Sequence, residues 1–379
     1  MQRATEQPAH VSAEQIATPE GLSVGRLRSR LLVLALFALV VAGVVTLVPG
    51  LAGLRSRLAR AEPAWLAAGV VLKLLSGLGY VAVFRMIFCR RMSWRVSTEI
   101  GMAELGANAI LPTGGAGGLA LGAWALKRGG MAGREIARRT VAFFLLTSVP
   151  NVLGVILIGL GLALGVLDGE RNLLLTALPA AIAVAAVALT LAAGRLAGRW
   201  HERASAGATG QPSGAASRRA AAAREALRAL STGVEESLTL LREGDAVLIA
   251  GLLAYLVFDI AILWAGFRAL GAAPPIAVLA LAYLIGELGG LLPVPGGIGG
   301  IDAGLLGTLV LYHVSITAAA GAVIAYRAIA LAVPALAGAI AFVALRRTLQ
   351  GEADKVAVCA PDTEMEIIGV GRAVIRVER

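Results

Sequence analysis

Apolar runs of about 20 residues or more recur along this chain, and each is long enough to cross the roughly 30 Å hydrocarbon layer of a bilayer as a helix. Six such runs lie at roughly 31–53, 63–84, 140–166, 172–194, 246–270 and 316–345. With 58% hydrophobic and 15% charged residues and a mean hydropathy of +0.80, the chain reads as an all-α polytopic membrane protein rather than a soluble domain. The run at 31–53 follows about thirty polar residues and exceeds the core of a cleaved signal peptide, so it is expected to act as a signal-anchor.

The net charge of +10 is explained by topology rather than by nucleic acid, for which no partner role is expected. Lys and Arg collect in the cytoplasmic segments of multi-pass proteins. With a cytoplasmic N-terminus, segments 1–30, 85–95, 127–139, 195–245 and 346–379 hold 27 of the 34 Lys and Arg residues. The loop with Arg55, Arg57 and Arg60 runs against this orientation and is outvoted by the others. Both termini are therefore expected in the cytoplasm, with the protein in the plasma membrane. Cys89 and Cys359 lie far apart on the expected cytoplasmic side and read as free thiols.

Two further apolar stretches, 97–127 and 275–314, are interrupted by proline and glycine. Glu104-Leu105-Gly106 precedes Leu111-Pro112-Thr-Gly114-Gly115-Ala-Gly117-Gly118, and Glu287-Leu288-Gly289 precedes Leu292-Pro293-Val-Pro295-Gly296-Gly297-Ile-Gly299-Gly300. The shared order indicates an internal repeat. Three full runs separate the copies, so they are expected to enter the bilayer from opposite faces, as inverted repeats do. Arms of about 15 residues give about 22 Å, too short to span, which predicts re-entrant hairpins. Counted as spanning, the hairpins would bring the total to eight helices.

A backbone broken at membrane depth leaves polar groups that hydrocarbon cannot satisfy, and it survives only against protein or a wet cavity. A helix restarting near Gly118 or Gly300 would present N–H groups and a positive dipole end suited to an anion. The other reading of these glycines is a tight turn between packed half-helices.

Charges inside the bilayer are functional candidates. Arg327 is flanked by apolar residues and can pair bidentately with phosphate, or be buried against Glu287 or Asp302. Glu104 and Glu287 could cap hairpin backbone or bind protons. Lys73 and Asp259 are expected to form a structural ion pair, and His313, near a helix end, to be structural.

The organisation read from these features is a tail at 1–30, a first membrane half at 31–194 with its hairpin at 97–127, a cytoplasmic segment at 195–245, a second half at 246–346 with its hairpin at 275–314, and a tail at 347–379. Residues 201–217 form a Gly/Ser/Ala-rich linker. After it, Leu227, Leu230, Val234, Leu238 and Leu241 share one helical face, which would lie on the membrane surface or pack on the membrane domain.

No metal-ligand spacing, nucleotide loop or nucleophile–base pair is recognisable, so neither enzymatic activity, nor a cofactor, nor a metal is expected.

At 292–304, with Asp302, and at Tyr326-Arg327 the chain resembles the lysylphosphatidylglycerol synthase transmembrane-region family, also called flippase-like or UPF0104 membrane proteins. The resemblance rests on Pro-x-Pro-Gly-Gly-x-Gly, a nearby acidic residue and a later Tyr-Arg, and it covers about 30–346. The first hairpin departs from the pattern, having Thr113 and Gly114 where many members carry Arg and Glu. The resemblance implies translocation of an anionic or isoprenoid-linked lipid between leaflets, without the soluble synthase domain. The candidate substrate-binding residues are Arg327, Asp302, Glu287, Glu104, Pro293, Pro295, Gly296, Gly297, Gly299, Gly300, Gly114, Gly115, Gly117 and Gly118. A different expectation is a non-transporting partner that positions a separately encoded lipid or cell-envelope enzyme.

Overall fold

A computed structural model of the protein describes residues 52–111, 116–169, 176–185, 188, 192, 232–271, 273–289 and 299–351. The run at 31–53 lies almost wholly outside the described residues, as do the linker at 201–217, Leu227 and Leu230. So do residues 112–115 and 290–298, which hold Gly114, Gly115, Pro293, Pro295, Gly296 and Gly297.

The described residues form helices and no strand. In chain order they are α1 (Ala52–Ala59), α2 (Pro63–Phe88), α3 (Trp94–Ile110), α4 (Ala116–Arg128), α5 (Gly133–Ala163), α6 (Thr176–Ala185), α7 (232–243), α8 (Ala246–Ala269), α9 (Ile276–Gly289), α10 (Gly300–Leu311) and α11 (Ile316–Gly351). Four of these, α2, α5, α8 and α11, are long and apolar enough to cross a membrane. At 1.5 Å per residue, α3, α4, α9 and α10 reach only about 26, 20, 21 and 18 Å.

Local chemistry sets where several helices begin. Pro63 opens α2, where its missing N–H costs nothing. Ser93 caps α3 by accepting from Val96 N at 3.3 Å. Asp245 caps α8 by accepting from Val247 N and Leu248 N at 2.9 and 3.3 Å. Gly299, at φ 89°, precedes α10 in a conformation that L side chains avoid, and its N–H donates to Asp302 Oδ2 at 2.8 Å.

Helices α2 and α8 form the central pair and run antiparallel. Trp65 meets Trp264 edge-on at one end, Lys73 meets Asp259 further along, and Gly79 meets Gly251 beyond that. A Cβ on Gly79 would lie 2.8 Å from the Gly251 carbonyl, so the two backbones approach as only small residues permit. Around this pair the packing is crossed. The long helix α11 lies against α3, from the first expected hairpin, while α5 lies against α9, from the second. At both contacts the long helix carries the same six-residue pattern, Val149-Pro150 to Gly154 in α5 and Val333-Pro334 to Gly338 in α11. Gly154 faces Leu284 of α9, and Gly338 faces Gly106 of α3.

Two apolar clusters result. One joins Phe84, Phe88, Ile100, Leu121, Leu146 and Phe342 around the first hairpin, and the other joins Leu162, Leu263, Phe267, Leu281, Leu305 and Val323 around the second. Lipid is as apolar as these side chains, so close packing rather than water exclusion holds them.

Four of the basic segments meet at one end. Arg90 lies 3.6 Å from both Glu243 and Asp245, Arg138 Nε lies 3.4 Å from Glu236, Arg139 donates to the Phe88 carbonyl, and Thr348 donates to Glu99 at 2.7 Å. Here α7 packs on α5, with Gly233 against Val141 and Ser237 Oγ donating to Ala142 O at 3.5 Å. Of the predicted apolar face, Val234 is buried, Leu241 packs on the first cluster and Leu238 is exposed. Residues 232–243 thus dock on the membrane domain.

One expectation is corrected. Cys89, at the end of α2, is disulfide-bonded and not a free thiol. The chain's other cysteine, Cys359, lies outside the described residues. Separation along the sequence is a poor measure of distance once helices fold back on one another.

Candidate functional site

The ionisable side chains of the two halves gather in two layers either side of the midpoint of α2. Lys73 and Tyr80, seven residues apart and therefore on one face about 10 Å apart along the axis, anchor one layer each.

In the layer at Lys73, the ammonium lies 2.8 and 3.0 Å from the two carboxylate oxygens of Asp259. Tyr283 of α9 donates to Asp259 Oδ2 at 3.3 Å. Lys73, Asp259 and Tyr283 are all buried, so each ion has its counter-charge where neither has water. Burial of this kind is tolerated only when paired. Glu287, half-buried in the last turn of α9, lies within electrostatic reach of Asp259, Lys73 and Arg327. Arg327 of α11 approaches Asp302 Oδ1 at 3.0 Å, an ion pair rather than an aligned hydrogen bond. Asp302 stands in the first turn of α10, and its other oxygen holds Gly299 N. One carboxylate therefore fastens both the start of the helix and the guanidinium. Tyr326, next to Arg327, packs edge-on against Tyr283 at 6.3 Å.

In the layer at Tyr80, the phenol donates to Glu104 Oε2 at 2.9 Å. Glu104 is 1% exposed, and among the described residues no Lys, Arg or His pairs with it. Its second oxygen fills a notch in α4 left by Gly122, where a Cβ would fall 1.6 Å from Oε1. Gly118 N, expected to be open to a ligand, donates instead to Asn108 Oδ1 at 2.8 Å. Beside this layer an apolar cavity of about 10 Å³ is lined by Gly106, Leu121, Gly338 and Phe342, about the least space that holds a water.

The predicted residues are thus divided between two environments. Arg327, Asp302, Glu287, Gly299 and Gly300 come together at the start of α10, with the Lys73–Asp259 pair alongside. Glu104, Gly117 and Gly118 belong to the first hairpin. His313 follows α10 at φ 60° on the exposed surface, in a turn rather than a site. Tyr80, Tyr283, Asn108 and Gly122 were not foreseen. The legible signals were Asn108 one turn after Glu104, and the repeated Val-Pro-x-x-x-Gly that brings each long helix to the opposite hairpin.

No curated protein matches the chain. A family model described as the lysylphosphatidylglycerol synthase TM region matches residues 31–338, which takes in the Lys73–Asp259 and Arg327–Asp302 pairs and Glu104. This membrane protein therefore belongs to the lysylphosphatidylglycerol synthase TM region family.

Proposed function

We propose that the protein is a flippase-like translocator of an anionic or isoprenoid-linked lipid between leaflets of the plasma membrane. The observation that carries this reading is the Arg327–Asp302 pair, a guanidinium at membrane depth held by the first turn of a helix that itself begins there. A phosphate entering beside Gly299 and Gly300 would compete with Asp302 for the same donors, which makes the ion pair exchangeable.

The geometry supports an inverted pair of re-entrant hairpins. Hairpin α3–α4 opens at the end where Arg90 and Arg138 gather, and hairpin α9–α10 opens near Trp65 and Trp264. Three of their four arms, of 13, 14 and 12 residues, fall short of a span. Under the positive-inside rule the basic end is the cytoplasmic one, and a cytoplasmic N-terminus and C-terminus agree with that reading. Translocation requires no covalent step, so we assign no catalytic residue.

The test is leaflet exposure of candidate lipids in cells carrying Arg327→Ala, with Arg327→Lys as the conservative variant. Reduced exposure of one lipid class, with normal membrane levels of the protein, supports translocation, and Lys should recover only part of it. Unchanged exposure of every lipid tested sinks the reading. Co-purification with one lipid or envelope enzyme would favour a positioning role instead.

A further inference from the structure

The lipid-binding reading places substrate at the second hairpin and leaves Glu104 without a task. We propose that Glu104 is a proton-binding site within the membrane domain, linked through Tyr80 and Tyr255 to the Lys73–Asp259 pair of the second half. The site stands on its own geometry. Its use in transport rests on the lipid-translocation reading.

The contacts of the Glu104 carboxyl are neutral: the Tyr80 hydroxyl of α2 and the Gly122 notch of α4. Phe143 of α5 packs on Tyr80, Gly118 of α4 lies against the Glu104 backbone carbonyl, and Gly338 of α11 lies beside Gly106. Across Tyr80, α8 supplies Tyr255 at 5.6 Å between ring centres. No cation stands beside the carboxyl among the described residues. A carboxylate removed from water without a counter-charge is expensive, whereas the neutral acid is not. Gly122 gives Oε1 space, and Oε2 already faces a hydroxyl that can receive or return a hydrogen.

The link to the other half is a set of tyrosine side chains packed ring to ring. Tyr80, Tyr255, Tyr283 and Tyr326 are four of the chain's five tyrosines, and all four lie between the two polar layers or within them. Tyr255 stands one turn before Asp259 on α8, and its carbonyl accepts from the buried Ser76 of α2, which lies between Lys73 and Tyr80 in sequence. Tyr283 joins the set to Asp259. A proton taken up forms one O–H bond on the Glu104 carboxyl, and on release that bond breaks while one forms on the next acceptor. No other bond changes. A singly charged phosphodiester headgroup moving with one proton carries no net charge across the bilayer, so the membrane potential does no work on it.

The test uses the full-length protein in phosphatidylglycerol vesicles. Infrared difference spectra across a pH step should show one protonated-carboxyl band that Glu104→Gln abolishes and Tyr80→Phe shifts. A spectrum unchanged by Glu104→Gln overturns the proposal. Should that variant fail to reach the membrane, an unshifted band in Tyr80→Phe overturns it instead. In the same vesicles, movement of fluorescent phosphatidylglycerol should respond to an imposed pH gradient and lose that response in Glu104→Gln. An equal response in the variant overturns the coupling. If the parent protein moves no lipid, the translocation reading fails, and the infrared band alone upholds or overturns the proton site.

Discussion

The two hairpins start their breaks with the same three residues, Glu104-Leu105-Gly106 and Glu287-Leu288-Gly289, and surround them with different chemistry. In the first, the carboxyl is buried among a phenol, glycines and apolar rings. In the second, it is half-buried beside an ion pair and an arginine. A shared backbone device has thus been furnished once with neutral hydrogen bonds and once with charges. An anion would therefore meet a guanidinium at the start of α10 and only neutral groups beside Glu104.

The largest effect that separates the halves should come from Lys73→Ala, which strands the buried Asp259 carboxylate at a cost of about 3–5 kcal/mol. Thermal unfolding in detergent should show it, and replacing both residues with leucine should recover most of the loss. A fully stable Lys73→Ala protein would break the contrast.

Next come two glycines packed on α3, each expected to lose about 1–3 kcal/mol on change to alanine. At Gly122 the obstacle is the movable Glu104 carboxyl, so Glu104→Ala should relieve it in a double-mutant cycle. At Gly338 the obstacle is the Gly106 backbone, 2.5 Å from the new Cβ, and Glu104→Ala should bring no relief.

Tyr80→Phe should cost about 1 kcal/mol, because it removes the hydroxyl donor to Glu104. Asn108→Ala should cost about as much, since Gly118 N then loses its acceptor. Smallest of all, Tyr283→Phe should cost about 0.5 kcal/mol, because Lys73 still holds Asp259. A larger loss at Tyr283 than at Tyr80 would reverse the comparison.

Much of the fold was legible because membrane helices are specified locally. The helices of 63–88, 133–163, 246–269 and 316–351 overlap apolar runs visible by eye, and the breaks near 112 and 293 follow from proline and glycine. Charge bookkeeping also anticipated that segments 85–95, 133–139 and 232–245 share one end. The partners of the buried charges were less legible. Arg327 could have chosen Glu287 or Asp302, and the choice of Asp302 depends on where α10 begins and how α11 is rotated against it. Nothing in the spacing of Tyr80 and Glu104 distinguishes a hydrogen bond from two unrelated side chains. The oxidised state of Cys89 was misread for the same reason.

By itself the sequence determined that this chain enters a membrane, where its helices run and where they break, because hydrocarbon thickness and backbone hydrogen bonding act on each segment separately. Only the tertiary structure decided that Lys73 faces Asp259 across 186 positions, that Gly122 makes room for Glu104, and that each proline-bearing long helix grips the opposite hairpin. Those outcomes depend on the rotation and offset of one helix against another, which follow from side-chain fit between segments distant in the chain.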